Sequence, residues 1–157
     1  MSTTSGPPHA SFWAEPPEFY IDENMAGRTV RRFITDLGYV VHTPAAVFGR
    51  SRLDEGLDDE DWLPVVGRSS WAVFGRDQHI LDREMELQAY LAAKVHMFLL
   101  PGQATRAEIT QVLRVTLRDL CTVPVAQRAN VYWLTPHGLV DYERRRYERD
   151  RRRERKR

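Results

Sequence analysis

Five short apolar runs, spaced by segments of helical length, constrain this chain more than any other feature. They are 18–22 (EFYID), 38–43 (GYVVHT), 71–74 (WAVF), 95–100 (VHMFLL) and 130–135 (NVYWLT). Strands with one wet face alternate apolar and polar residues; these runs are apolar nearly throughout, as strands covered on both faces are. Amphipathic stretches lie between them. From Met25 to Leu37, Val30, Phe33, Ile34 and Leu37 recur at helical spacing, and Gly38 suits the position that ends such a helix. Asp58 or Asp59 caps a second helix at 58–63, which Pro64 shortens or kinks. Residues 80–93 predict a third. Thr105-x-x-Glu108 is a capping box that opens a fourth, with Ile109, Val112, Leu113, Thr116, Leu117 and Leu120 on one face. Residues 44–57 read as irregular. The order β-α-β-α-β-α-β-α-β predicts an α/β fold of three layers, with a mostly parallel central sheet of about five strands.

A chain of 157 residues is expected to form one domain. Residues 1–17, rich in Ser, Thr and Pro, read as a flexible leader that Phe12 and Trp13 can anchor; 18–138 form the domain, and 139–157 a basic helix or tail. No apolar run is long enough to span a membrane, and the first residues lack the pattern of a secretory signal, so a cytoplasmic location is expected. The single cysteine, Cys121, excludes an internal disulfide and a cysteine zinc site and is expected as a buried thiol. The net charge of +1 conceals an uneven distribution. Residues 142–157 hold ten basic and four acidic side chains, a net of +6, which leaves −5 for the remainder. This tail is polar all round. It is expected either as a solvated terminus, held helical only by pairs such as Glu148 with Arg152, or as an RNA-binding segment using Arg145, Arg146, Arg149 and Arg152.

In a parallel sheet the loops after the carboxyl ends of the strands gather along one edge, where function sits. Asp22, Glu23 and Asn24 end the first run, and Asp77 follows the third. Asp58, Asp59, Glu60 and Asp61 open the helix before the third run. Each has a bland reading: helix capping for Asp22 or Asn24, dipole complementarity for the acidic helix start, a turn for Asp77. Gathered at one edge, however, the carboxylates would repel and raise one another's pKa values. The usual compensation is a hard divalent cation, Mg²⁺ or Mn²⁺. Arg76, next to Asp77, and Arg28, in the first turn of the first helix, can each contact either a phosphate or the acids nearby. Other α/β chemistries fail on missing residues. There is no glycine-rich phosphate loop. A phosphoacceptor site would need a lysine after the last strand, which here ends WLTPHG.

The pieces YIDENM at 20–25, LDDEDWL at 57–63 and VFGRD at 73–77, in that order, resemble the PIN-like domain nucleases. The likeness is to the VapC-type toxin ribonucleases, and especially to a short branch that begins with a strand and D-E-N. In element order it covers residues 18–135. The resemblance implies an endoribonuclease dependent on Mg²⁺ or Mn²⁺, with Asp22, Asp59 and Asp77 as metal ligands and catalytic residues. Glu23 and Asn24 would support them, and Asp58 or Glu60 are alternative ligands at the acidic helix start. The implied partners are an RNA substrate, an antitoxin protein and, as an assembly option, a second copy in a homodimer. Relatives in this branch often carry another Asp two residues after the third-strand Asp. This chain has His79 there, as a water ligand or phosphate contact. That departure supports the alternative of a catalytically weak PIN-like module that binds RNA or a partner.

Overall fold

The computed structural model describes residues 6–21, 25–76, 82–126 and 131–157. Among them the chain forms β1 (Phe19–Ile21), α1 (Met25–Asp36), β2 (Val41–His42), α2 (Pro44–Phe48), α3 (Arg50–Asp54), α4 (Asp59–Ser69) and β3 (Ala72–Arg76). It continues through α5 (Glu84–Ala92), β4 (His96–Leu100), α6 (Arg106–Ala126), β5 (Val131–Thr135), β6 (Gly138–Asp141) and α7 (Tyr142–Arg155). The strands make one sheet in the order β2-β1-β3-β4-β5-β6. The first five are parallel, and β6 folds back antiparallel on β5. This is the expected α/β/α architecture with a mostly parallel sheet.

Alternate residues of each strand feed two separate cores. Phe19, Ile21, Phe74, Phe98, Leu100 and Leu134 pack under α1 and α6. On that side Ile109, Leu113, Leu117 and Leu120 of α6 are no more than 2% exposed, each contributing about 1.5–3 kcal/mol by transfer from water. Tyr20, Val73, Met97, Leu99, Val131 and Trp133 face the other way, under Leu63 and Val66 of α4 and Leu87 and Tyr90 of α5. Burial on both faces explains why the strand sequences do not alternate.

Several expectations hold in detail. Thr105 and Glu108 exchange backbone-to-side-chain hydrogen bonds at 3.2 Å each, the capping box of α6. Gly38 ends α1 with φ +88°, and a Cβ there would lie 2.7 Å from the ring of His9. Cys121 is buried, and desolvation pushes its thiol up to about 11.

Others need correction. The sheet has six strands rather than about five, because Thr135–Gly138 closes a hairpin: the Thr135 hydroxyl donates to Gly138 O at 2.8 Å and accepts from His137 N–H at 3.1 Å. Residues 44–57 hold two short helices, since Thr43 caps α2 and Pro44 opens it. Helix α4 runs through Pro64 to Ser69, which overturns the short alternative for this helix. The leader, expected to be flexible apart from an anchor at Phe12 and Trp13, is packed from Pro8 to Trp13, with Trp13 anchoring it as expected: Ala10 N–H donates to Leu37 O at 2.8 Å, and the Tyr39 hydroxyl donates to Pro8 O at 2.8 Å while accepting from the Trp13 indole at 2.9 Å. The basic tail is a docked helix. Asp141 caps it by accepting from Arg144 N–H at 2.8 Å. Arg146 pairs with Glu84, and Arg149 and Arg153 both pair with Asp82. Glu148 pairs with Arg144, not Arg152.

Candidate active site at the carboxyl edge of the sheet

Neighbouring parallel strands β1, β3 and β4 end together, with Ile21 opposite Phe74 and Arg76 opposite Leu100. Helix α4 runs back into β3, so its N-terminus and four acids lie at this same edge. Those acids divide by task. Asp58 is the N-cap, and its backbone N–H donates to Asp61 at 3.1 Å. Asp61 also pairs with Arg52 at 3.0 Å. Glu60 is exposed. Asp59 alone of the four lines a cleft of about 330 Å³ between the sheet edge, α4 and α5.

The cleft is mostly aromatic and aliphatic. Trp62, Tyr20 and Tyr90 form walls, and Val73, Met97 and Leu99 the floor. Tyr20 stacks between Trp62, at 5.5 Å, and Trp71, at 6.2 Å. Gly75 lies in the floor, where a Cβ would meet Leu99 at 3.2 Å and Met97 at 3.3 Å. Its lack of a side chain leaves the cleft deeper than any other residue would.

Two polar groups meet this apolar lining. Asp59 Oδ1 accepts from the Trp62 indole N–H at 3.0 Å. Desolvation raises the Asp59 carboxyl above the ordinary carboxylate range, the Trp62 hydrogen bond opposes this, and Glu86 and Asp58 add repulsion. Tyr90 donates to Glu86 at 2.6 Å, and its phenol is held protonated by burial and by that bond. The second group is Arg76 at the end of β3. Its Nε is buried without a hydrogen-bond partner among the described residues, a donor that an anionic oxygen in the cleft would satisfy.

The remaining sequence candidates are placed as follows. Asp22, Glu23, Asn24, Asp77 and His79 lie outside the described residues. Asp22 directly follows the end of β1 and Asp77 the end of β3 in sequence. Among the described residues no three His, Cys, Asp or Glu side chains form a metal-holding group. Asp59 fits a hard divalent cation as far as one ligand can, because an oxygen donor raised by burial and by neighbouring carboxylates is relieved by positive charge. Arg28 lies at the start of α1, on the other side of the sheet, in a groove with Arg32 and Arg106. In α7, Arg145 covers the Trp133 ring at 5.9 Å, Arg146 and Arg149 are engaged with Glu84 and Asp82, and Arg152 is exposed. Sequence reasoning passed over Tyr90, Glu86 and Gly75. Only Tyr90 carried a signal, as the one aromatic residue of its helix.

A family model described as PIN like domain matches residues 17–102, more than half of the chain. The chain belongs to the PIN-like domain family. Comparisons with curated proteins and with solved structures found no match. The matched part of this PIN-like domain runs from the approach to β1 through β4. It therefore contains the Asp59 cleft and all three strand ends that frame it. No helix among the described residues is long and apolar enough to cross a membrane.

Proposed function

We propose that this PIN-like domain is a cytoplasmic endoribonuclease dependent on Mg²⁺ or Mn²⁺, of the VapC-type D-E-N branch, and the toxin of a toxin–antitoxin pair. The observation that carries the reading is Asp59, a carboxyl with a raised pKa at the carboxyl edge, facing a cleft beside the donor-rich Arg76. Asp22 and Asp77, which follow β1 and β3 in sequence, would join Asp59 in holding the cation, with Glu23, Asn24 and His79 as supporting groups. When bound, the cation supplies Lewis-acid stabilisation of the charge that develops at phosphorus. Arg76 would hold a non-bridging phosphate oxygen through its Nε–H, and Trp62 and Tyr90 would offer faces for a base to stack on. Asp59 must lose its proton to serve as a ligand, so activity should rise as pH moves from the acid range toward neutrality.

The second reading, an RNA- or partner-binding module with a weak site, draws on one observation. Asp59 Oδ1 is already occupied by the Trp62 indole, and its raised pKa weakens it as a ligand at low pH. Cleavage of a labelled RNA with Mn²⁺ or Mg²⁺ separates the two readings. The nuclease reading expects cleavage that chelation abolishes and that falls about 100-fold or more in Asp22→Asn, Asp59→Asn and Asp77→Asn. RNA binding with steep salt dependence and no cleavage under any metal would favour the binding module.

A further inference from the structure

Three arginines line a groove of about 490 Å³ on the side of the sheet opposite the Asp59 cleft. Arg28 and Arg32 come from α1, and Arg106 is the first residue of α6. Thr29, Thr110, Phe33 and Asp36 complete the lining. Both helices follow strands whose carboxyl ends form the candidate site edge, so Arg28 and Arg106 flank that edge.

The helices themselves gain nothing from this arrangement. Arg28 and Arg32 are one helical turn apart, where like charges weaken a helix. Arg28 in the first turn of α1 and Arg106 at the start of α6 both stand at helix N-termini, where the macrodipole disfavours cations. Among the described residues none of the three forms an ion pair or a side-chain hydrogen bond, Asp36 included, although it lines the same groove. Glu108, the nearest acid in sequence to Arg106, is held by Thr105 in the capping box. The contrast with α7 is direct: there Arg146, Arg149 and Arg153 are neutralised by Glu84 and Asp82.

A cluster of guanidinium forks beside the Thr29 hydroxyl matches phosphate oxygens, with Arg able to bind two of them at once; the Thr110 hydroxyl is spent on Arg106 O at 2.9 Å. Phe33 is the one apolar side chain in the lining, too little to anchor the side chains of a peptide. We infer that Arg28, Arg32 and Arg106 form a subsite for the phosphodiester backbone of single-stranded RNA, on the α1–α6 flank of the candidate site. The ligand class rests on the RNA reading proposed above, but cleavage is not required for the subsite to exist.

The test is binding of a short fluorescent single-stranded RNA to the full chain in EDTA, across a salt series, by anisotropy. Wild type is compared with Arg28→Gln/Arg32→Gln/Arg106→Gln, each single variant, and the triple lysine variant, with melting curves to confirm folding. Removing all three guanidinium charges should flatten the slope of log K against log salt by about 2, and each single change by about 0.7. The lysine triple should retain most of the slope. If the glutamine triple does not fold, the singles decide. Slopes unchanged in folded variants would overturn the subsite, as would a polyglutamate peptide displaced by the substitutions while RNA binding stays intact. Altered slopes without metal-dependent cleavage would support the subsite and sink the nuclease reading. Cleavage with unaltered slopes would do the reverse.

Discussion

The two faces of the sheet are built from the same strands and end up unlike each other. On one face α1 and the 21-residue α6 lay an aliphatic stripe over Phe19, Phe74 and Phe98, and the interior is closed. On the other, α4 and the nine-residue α5 bring Trp62 and Tyr90 over Tyr20, and Gly75 leaves the floor open. The closed face supplies the stability that lets the other hold a partly buried carboxyl and a buried guanidinium nitrogen. Marginal net stability makes this division consequential, since one or two kcal/mol is a large share of the total.

The largest effect is expected in the core. Leu117→Ala, at a fully buried position of α6, should cost about 2–5 kcal/mol in urea unfolding. Leu57→Ala, at a partly exposed cleft position, should cost less than about 1 kcal/mol. Equal costs would mean that the two faces are packed alike. A smaller effect is expected from Gly75→Ala, whose methyl would press on Leu99 and Met97. Overpacking of this kind costs about 1–3 kcal/mol, and RNA turnover should fall by more than the melting curve explains.

The pH dependence sharpens the contrast further. Because the folded-state pKa of Asp59 is raised, the folded chain holds that proton more tightly than the unfolded chain. Its contribution favours folding below the unfolded carboxylate value and is lost as pH rises through the folded value. Asp59→Asn without metal should therefore remove a component of stability that falls with rising pH, leaving a flatter profile of melting temperature between the carboxylate range and neutrality. On the closed face, the Cys121 thiol, pushed up to about 11, should stay unreactive toward a thiol reagent at pH ~8 until the chain unfolds. Smallest of all, Arg153→Gln, which removes one of two pairs to Asp82, should change stability by no more than about 1 kcal/mol, and by less at high salt.

The features legible in the sequence are those set by neighbours along the chain. The helical stripe from Val30 to Leu37, the Gly38 terminus and the Thr105 capping box rest on contacts a few residues apart, the strands show as apolar runs, and all appear in the structure. Helix α2 also had a local signal, Thr43 before Pro44, in a segment that Gly49 and Gly56 break into short pieces. The docking of α7 had none, because Asp82 and Arg149 are 67 residues apart and only the fold brings them together. The same applies to the site. The sequence places acids after β1 and β3 and at the start of α4, where the family resemblance singled out Asp59; what turns Asp59 into the cleft, and not Asp58, Glu60 or Asp61, is the capping geometry of α4 and Arg52, which takes Asp61 away. The three-arginine groove was invisible for a related reason, since Arg106 reaches Arg28 and Arg32 only through the packing of α6 on α1.

In the proposed function the open face presents Asp59 as a ligand for a divalent cation. Mn²⁺ titration followed by calorimetry, at pH values from the acid range to neutrality, on wild type and Asp59→Asn, decides whether it does. Saturable binding to wild type is expected, weakening as pH falls because the proton on Asp59 competes, with a loss of about tenfold or more in affinity in Asp59→Asn. Mn²⁺ affinity that is the same in both proteins, at every pH, would contradict it.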